Sequence, residues 1–488
     1  MDIQINRHID ITLINQIFNQ INNNIQQGIL KEGTQLPSIR VFSQKYNISH
    51  VTVSKAYKKL ENSGLINLIH GKGAFVKIKP DIDRNYNRES SFNPSSWQLS
   101  LKSYVDITHY TRTNSKDVRF NFSEAIINPK LLPSGYLVKK VNQILLTTPK
   151  IISNYSLAQG EVDIRESIRN YIAINGKFDV PISNMIITNG VQQGIDIVSK
   201  AFIGPDDIVI TEESTYFHAL EVFSNRGAKI ITVPMDNHGL QINKLATLCS
   251  KYKPKLVYTI PTFHNPTGVT LSLARRKQLL SLAREHHFLI IEDDSWNDIY
   301  FDDMIPPPTI KSLDQEGSVI YLKGFSKYLS PGCRIGVIIA NDTIYPHLLA
   351  SKTLTDLGSP ILTQKAVCSF LNTNRMSDHL IKLRTALEVR RNQILFLLQK
   401  HLPNSVQFTE PMGGLNFWLV LPKGADAIAL LEDSLEKGIS FLPGSFCFVN
   451  KTKSRHVRIS FSYIDTTEIS DGIIAFCKTV TSYLYRIE

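Results

Sequence analysis

The sequence predicts two domains of different class: a small N-terminal module of helices closed by a β-hairpin, and a larger α/β domain with a mainly parallel sheet. Three observations predict this. The chain has 488 residues, beyond the roughly 250–300 at which a single hydrophobic core stops growing. Its apolar pattern has helical period near the N-terminus, but from residue 118 short β-branched runs alternate with amphipathic segments. Between these regions, over residues 79–117, Asn, Ser, Arg, Pro and isolated aromatics show no sustained period. The expected boundaries are therefore 1–78, a linker over 79–117, and 118–488.

In the first region Ile14, Ile17, Phe18, Ile21 and Ile25 recur at helical spacing, and a Gly-containing turn follows over residues 28–33. Pro37 and Ser38 start a short helix that runs to about Tyr46. Ser49 has the chemistry of an N-cap for another helix over 50–62. Residues 65–78 read as two strands around His70-Gly71-Lys72-Gly73. Three helices and a hairpin make a winged helix. Residues 1–80 hold ten Lys/Arg against four Asp/Glu, a large share of the net charge of +11. That skew suits a module facing phosphates, or equally a solvated basic surface.

The larger region has β-branched runs at 185–188, 208–211, 230–233, 256–260, 288–293, 319–322 and 335–340, with helical spacing between them, as over 273–286. This alternation predicts the parallel sheet. Residues from about 377 to 488 read as a smaller α+β lobe. Five scattered cysteines without a CxxC pair argue against a disulfide framework and a thiolate zinc site. No metal site is expected. The absence of 18 consecutive apolar residues argues against a membrane span, and the expected compartment is the reducing cytoplasm.

Leu36-Pro37-Ser38-Ile39-Arg40, then Ile48-Ser49-His50-Val51-Thr52-Val53, Ala56-Tyr57, Leu60 and the wing Gly71-Lys72-Gly73-Ala74-Phe75-Val76 together resemble the GntR family of bacterial regulators. The resemblance implies a winged helix-turn-helix that binds double-stranded operator DNA. Arg40 would grip the duplex, Ser49, His50 and Thr52 would face phosphates or bases, and the wing with Lys72 would approach the minor groove. His50 departs from the arginine usual in that family. Leu36, Val53, Ala56 and Leu60 read as core, and Lys58 and Lys59 as solvated.

Four segments of the larger region carry chemistry. Gly324-Phe325-Ser326-Lys327 continues through Ser330-Pro331-Gly332-Cys333-Arg334 just after an expected strand. Glu292-Asp293-Asp294 closes another strand, where ligand sites of α/β sheets lie. Asn189-Gly190-Val191-Gln192 opens a helix whose N–H groups can cup an anion. Asn265-Pro266-Thr267-Gly268 forms a turn. Together they resemble the fold type I aminotransferases, which implies pyridoxal 5'-phosphate as cofactor.

By that resemblance Lys327 is the catalytic lysine that holds the cofactor aldehyde, and Asp293 meets its ring nitrogen. Asn265 reaches the ring oxygen, and Tyr216 stacks on the ring. Gly190, Val191, Gln192, Ser326 and Arg334 surround the phosphate, and Tyr155 reaches the phosphate of a neighbouring subunit. Arg458 clamps a carboxylate of the substrate or effector. As alternatives, Asp293 or Asp294 could simply cap the next helix, and Arg458 could form a surface ion pair. Ser295 and Trp296 stand where that family commonly has a tyrosine, and Gly324 where it has a hydroxyl residue.

A GntR-like module, a linker and an aminotransferase-like domain in this order resemble the MocR subfamily of GntR regulators. This implies a head-to-tail homodimer that binds operator DNA and responds to pyridoxal phosphate or to an amino compound or amino acid. Weak transaminase activity at most is expected. A working aminotransferase with an attached DNA module, and a regulator whose larger domain only dimerises, are the competing readings.

Overall fold

The structure is a computed structural model that describes residues 3, 5, 12–26, 30, 33–63, 65–69, 73–77, 118–176, 178–450 and 454–487. The chain divides into two compact units, Met1–Asp106 and Ile107–Glu488. The expected linker over 79–117 and the wing tip with Lys72 lie outside the described residues.

The first unit contains α1 (Leu13–Gln26), α2 (Ile39–Tyr46), α3 (His50–Asn62) and the hairpin β1 (Ile66–Ile69) and β2 (Gly73–Val76). Its helix starts are capped as the sequence predicts. Ser38 Oγ accepts from Val41 N at 3.3 Å, and Ser49 Oγ from Thr52 N at 3.1 Å. Between α2 and α3 the chain turns at Asn47, which takes a left-handed φ of 49°. Ile17, Ile21, Phe42, Val53, Ala56 and Leu60 are fully buried. Phe42 lies 4.8 Å from the ring of Tyr46 and 5.9 Å from that of Tyr57, whose hydroxyl donates to Pro37 O at 2.8 Å. Lys59 is exposed, as expected, and its Nζ also donates to Asn15 Oδ1 at 2.7 Å and lies 4.7 Å from the Phe18 ring centre.

The second unit begins with β3 (Phe120–Asn121), α4 (Ser134–Thr147) and α5 (Val162–Asn175). Then β4 (Met185–Thr188), α6 (Val191–Phe202), β5 (Ile208–Glu212), α7 (Phe217–Asn225) and β6 (Lys229–Val233) follow. A short hairpin of β7 (Met235–Asp236) and β8 (Gly239–Leu240) leads into α8 (Ile242–Tyr252), β9 (Leu256–Thr259), α9 (Leu273–His286) and β10 (Leu289–Asp294). The sheet is completed, after α10 (Ile310–Leu313), by β11 (Val319–Gly324) and β12 (Gly336–Ile339). All seven strands expected from the β-branched runs form one sheet in the order β4-β12-β11-β10-β9-β5-β6. Only β12 runs against its neighbours.

Alternate residues of these strands enter two separate cores. Val209, Tyr258, Ile291 and Ile320 join one, and Ile210, Val257, Ile290 and Val319 join the other. The sheet is therefore covered on both faces, and its strands read as continuous apolar runs. The site consequently forms at strand ends rather than on a face.

The chain continues through α11 (Tyr345–Thr355), α12 (Ile361–Leu371) and the long α13 (Arg375–His401). In the smaller lobe β13 (Gln407–Thr409), β14 (Asn416–Val420), β16 (Leu442–Pro443) and β17 (His456–Ser460) form an antiparallel sheet in the order β13-β14-β17-β16. Helices α14 (Ala427–Leu435) and α15 (Ile469–Ile487) accompany it. The remaining strand, β15 (Ile439–Ser440), pairs in parallel with β3, Ile439 opposite Phe120. The start of this unit thus joins the lobe, a pairing the sequence reading does not foresee. Phe42→Ala removes a fully buried ring at a cost of about 3–5 kcal/mol. Calorimetry should show the transition of the first unit lost or shifted far down, with that of the second unit retained.

Candidate functional site

Parallel strands that end side by side leave a crevice at their carboxyl ends, and there the second unit gathers its chemical groups. A cavity of about 200 Å³ is lined by Val191, Gln192, Tyr216, Asn265, Asp293, Ser326, Lys327 and Arg334, together with Trp296 and Ser295. These eight expected residues come from five separate segments. Gly190 stands at their edge as the first turn of α6 begins.

Asp293 is buried at the end of β10. Its carboxylate accepts from Ser295 Oγ at 2.7 Å and from Tyr258 Oη at 2.8 Å. Burial pushes its pKa up to about 6, and those two donors oppose the shift. Neither carboxylate caps a helix: Asp294 turns behind the sheet, where Lys323 Nζ lies 3.2 Å from it and 2.7 Å from Asp298. Lys327 follows β11, donates to Ala125 O at 2.8 Å and lies 5.3 Å from the Trp296 ring centre. Burial, then the positive charge of Arg458, lowers its pKa to about 8.

Helix α6 starts without a side-chain cap at Gly190, whose φ is 85°. Arg334 Nη2 donates to Asn189 O at 2.7 Å, and a Cβ on Gly190 would come within 2.8 Å of that nitrogen. The positive φ is what favours glycine here. Ser326 Oγ is buried with no hydrogen-bond partner among the described residues. An orphan hydroxyl, a guanidinium and an uncapped helix start together form a cup for a phosphate-sized anion. With an amine near neutrality and a buried carboxylate in the same cavity, these residues fit pyridoxal 5'-phosphate.

Gly324 has a local cause. A Cβ there would lie 2.9 Å from Val191 Cγ2, so the valine side chain occupies the space a larger residue at 324 would need.

A second cavity of about 290 Å³ adjoins the first, sharing Tyr216, Asn265 and Lys327, and is lined also by Arg458 and residues 123–126. Arg458 is 5% exposed, so it is not a surface ion pair. It donates to Asn265 Oδ1 at 3.1 Å and to Ser123 O at 2.6 Å, while its Nε has no partner among the described residues. Tyr155 stands apart: it is 83% exposed and lines neither cavity.

The sequence reading missed Tyr258, which holds Asp293, and Arg276. From α9 the fully buried Arg276 donates to Pro261 O at 2.8 Å, Thr262 Oγ1 at 2.8 Å and Leu271 O at 2.9 Å. It thereby fixes both ends of the loop that carries Asn265.

In the first unit Arg40 and His50 are exposed, while Thr52 is half-buried. Ser49 Oγ lies 2.7 Å from Thr52 Oγ1, so part of its hydrogen-bonding capacity is spent within the helix start. Val51 is 62% exposed beside His50, an apolar group able to meet a thymine methyl that the sequence reading passed over.

Residues 130–475 match the family described as aminotransferase class I and II. The chain belongs to this family. Residues 13–76 match the bacterial regulatory proteins of the gntR family. Along nearly the whole chain it is similar to the uncharacterized HTH-type transcriptional regulator YisV of Bacillus subtilis, at 27% identity over 98% of this chain and 97% of the relative. The aromatic-amino-acid aminotransferase 1 of Thermococcus litoralis is 32% identical over 72% of this chain and 85% of its own length. The solved structure of LysN, an α-aminoadipate aminotransferase of Thermus thermophilus complexed with N-(5'-phosphopyridoxyl)-L-leucine, superposes with a TM-score of 0.75 at 29% identity. That match covers 80% of this chain and all of the other. A GntR domain followed by an aminotransferase domain, with a full-length relative named as a regulator, agrees with the MocR subfamily.

Two outcomes follow. Because only a neutral amine attacks an aldehyde, uptake of pyridoxal phosphate trapped by borohydride should accelerate as pH rises through about 8 in the wild type. Gly324→Ser should weaken cofactor binding about tenfold through overpacking against Val191. Adding Val191→Ala should recover most of that loss in a cofactor titration.

Proposed function

We propose that the protein is a transcriptional regulator whose GntR unit binds operator DNA and whose aminotransferase-like unit senses an amino compound through pyridoxal 5'-phosphate. The observation that carries this reading is the pair of adjoining cavities, one with Lys327 and Asp293 and the other with Arg458, in a chain that also holds a GntR domain. When bound, the cofactor supplies an electrophilic carbon and an electron-withdrawing ring.

The chain's own residues would divide the work. Lys327 is the covalent anchor. Asp293, oriented by Ser295 and Tyr258, accepts the ring N–H. Tyr216 covers a ring face and Asn265 meets the ring oxygen. Gly190, Val191, Gln192, Ser326 and Arg334 hold the phosphate, and Arg458 takes a ligand carboxylate in two parallel hydrogen bonds. Arg40, His50, Ser49 and Thr52 meet DNA, and Lys72 adds a phosphate contact from the wing.

A ligand shifts a conformational equilibrium only if it treats the two states differently. Lys327 and Arg458 supply such a difference, because both donate to carbonyls of residues 123–125. Each leaves its carbonyl when it turns to cofactor or ligand. Those carbonyls follow closely in sequence on residues 79–117, the linker that the sequence leads us to expect.

A homodimer, head to tail, completes the reading. Leu146, Ile152, Tyr155, Leu354 and Leu357 are all more than 60% exposed. A Cβ on Gly358 would come within 2.8 Å of Ser156 O, so the segments that carry Tyr155 and Leu357 adjoin. An apolar surface of that kind suits burial against a second copy, into which Tyr155 would reach. The protein would act in the cytoplasm. Catalytic turnover is a second reading, favoured by an anchoring amine lowered to about 8, a value suited to proton transfer.

The test records the cofactor absorbance and operator occupancy together while amino compounds are titrated into the holo protein. At least one should change both. An amine that consumes the absorbance band yet leaves operator affinity unchanged, for every compound tried, would overturn the sensing role. Arg40→Ala should weaken binding to specific and random DNA alike and flatten the salt dependence, because it removes a phosphate contact. His50→Ala should act mainly on the specific site.

A further inference from the structure

Between the two carbonyls that hold Lys327 and Arg458 stands a residue that the proposed chemistry leaves unused. Ser123 O accepts from Arg458, Ala125 O accepts from Lys327, and the residue between them is Glu124. Glu124 is half-buried and lines the second cavity, whose walls also include Phe217, His218, Leu431 and Phe441 besides Lys327 and Arg458. Glu124 makes no hydrogen bond or ion pair with any described residue. A half-buried carboxylate that the protein itself leaves unpaired is open to a ligand cation that enters the cavity. Arg458 forms the opposite pole, with its buried Nε also unpartnered, and the two do not neutralise each other.

We propose that Glu124 selects an amino acid with a second positive charge on its side chain. This rests on the amino-compound reading above and names the ligand class of that site. The ligand carboxylate pairs with Arg458, its reacting amine faces Lys327, and its side-chain cation pairs with Glu124. A neutral side chain would leave the carboxylate unpaired, and an acidic one would set two like charges side by side.

The test is calorimetric titration of the full-length, pyridoxal phosphate-loaded protein with L-lysine, L-ornithine, L-norleucine and L-2-aminoadipate. A charge-assisted hydrogen bond predicts lysine or ornithine at least about tenfold tighter than norleucine. In Glu124→Gln that ratio should collapse, and in Glu124→Lys the preference should pass to 2-aminoadipate. If norleucine binds the wild type as tightly as the dibasic pair, the inference falls while the amino-compound reading stands. Equal weakening of norleucine and lysine by Glu124→Gln would place the carboxylate at the reacting amine and overturn the side-chain assignment. Should none of the four bind the wild type, this inference falls, and the amino-compound reading is decided by the titration with other amines described above.

Discussion

Removing an acid and an amine from water in one crevice is the constraint on which the larger unit turns. Asp293 is raised to about 6 and Lys327 lowered to about 8 chiefly by the same cause, burial. Each shift moves the group toward its neutral form and toward the range where protons and electrophiles can be exchanged near neutrality. Burial on this scale needs a sheet covered on both faces. Behind the site it also needs the remaining charges to be compensated, which Lys323 does between Asp294 and Asp298. Arg276, fully buried and bonded to loop carbonyls, plays a comparable part for the Asn265 turn.

The chemistry therefore sits on rigid elements, while the groups that would change partner are few and converge. Lys327 and Arg458 come from distant parts of the chain yet meet carbonyls two residues apart. In an enzyme such convergence would serve to position substrate. In this chain both bonds tie one short segment, residues 123–125, to the site. Substitutions near the cofactor site are likewise coupled to one another: Val191 and Gly324 divide one small volume between them.

Much of this was legible beforehand, for physical reasons. A sheet buried on both faces writes itself as β-branched runs, so all seven strands could be read from the order of residues along the chain. Ser38 and Ser49 announced their helices because an N-cap needs a short oxygen-bearing side chain. Local motifs carried Lys327, Asp293 and Arg334 into one cavity, since each is tied to a strand end. What stayed hidden lacked a local signature. Strand β3 is two residues long, too short for any period, and Arg276 looks like an ordinary polar position on α9. Tyr258 is one buried strand residue among others until its hydroxyl is seen against Asp293. The contacts of exposed Lys59 with Asn15 and Phe18 were hidden because those partners lie on a different helix.

The pairing of β3 with β15 has a consequence for how the molecule is made. Phe120 leaves the ribosome more than three hundred residues before Ile439, the partner it must lie beside. The Lys327 bond to Ala125 and the Arg458 bond to Ser123 span 202 and 335 residues. The helix-turn-helix, by contrast, closes its core within its first 76 residues. During N-to-C synthesis the GntR unit is complete while the larger unit still waits for its last strands, whose long-range contacts form slowly. The aminotransferase-like unit is thus the final part to mature, and the nascent chain carries a finished GntR domain before the strands that close the larger unit exist.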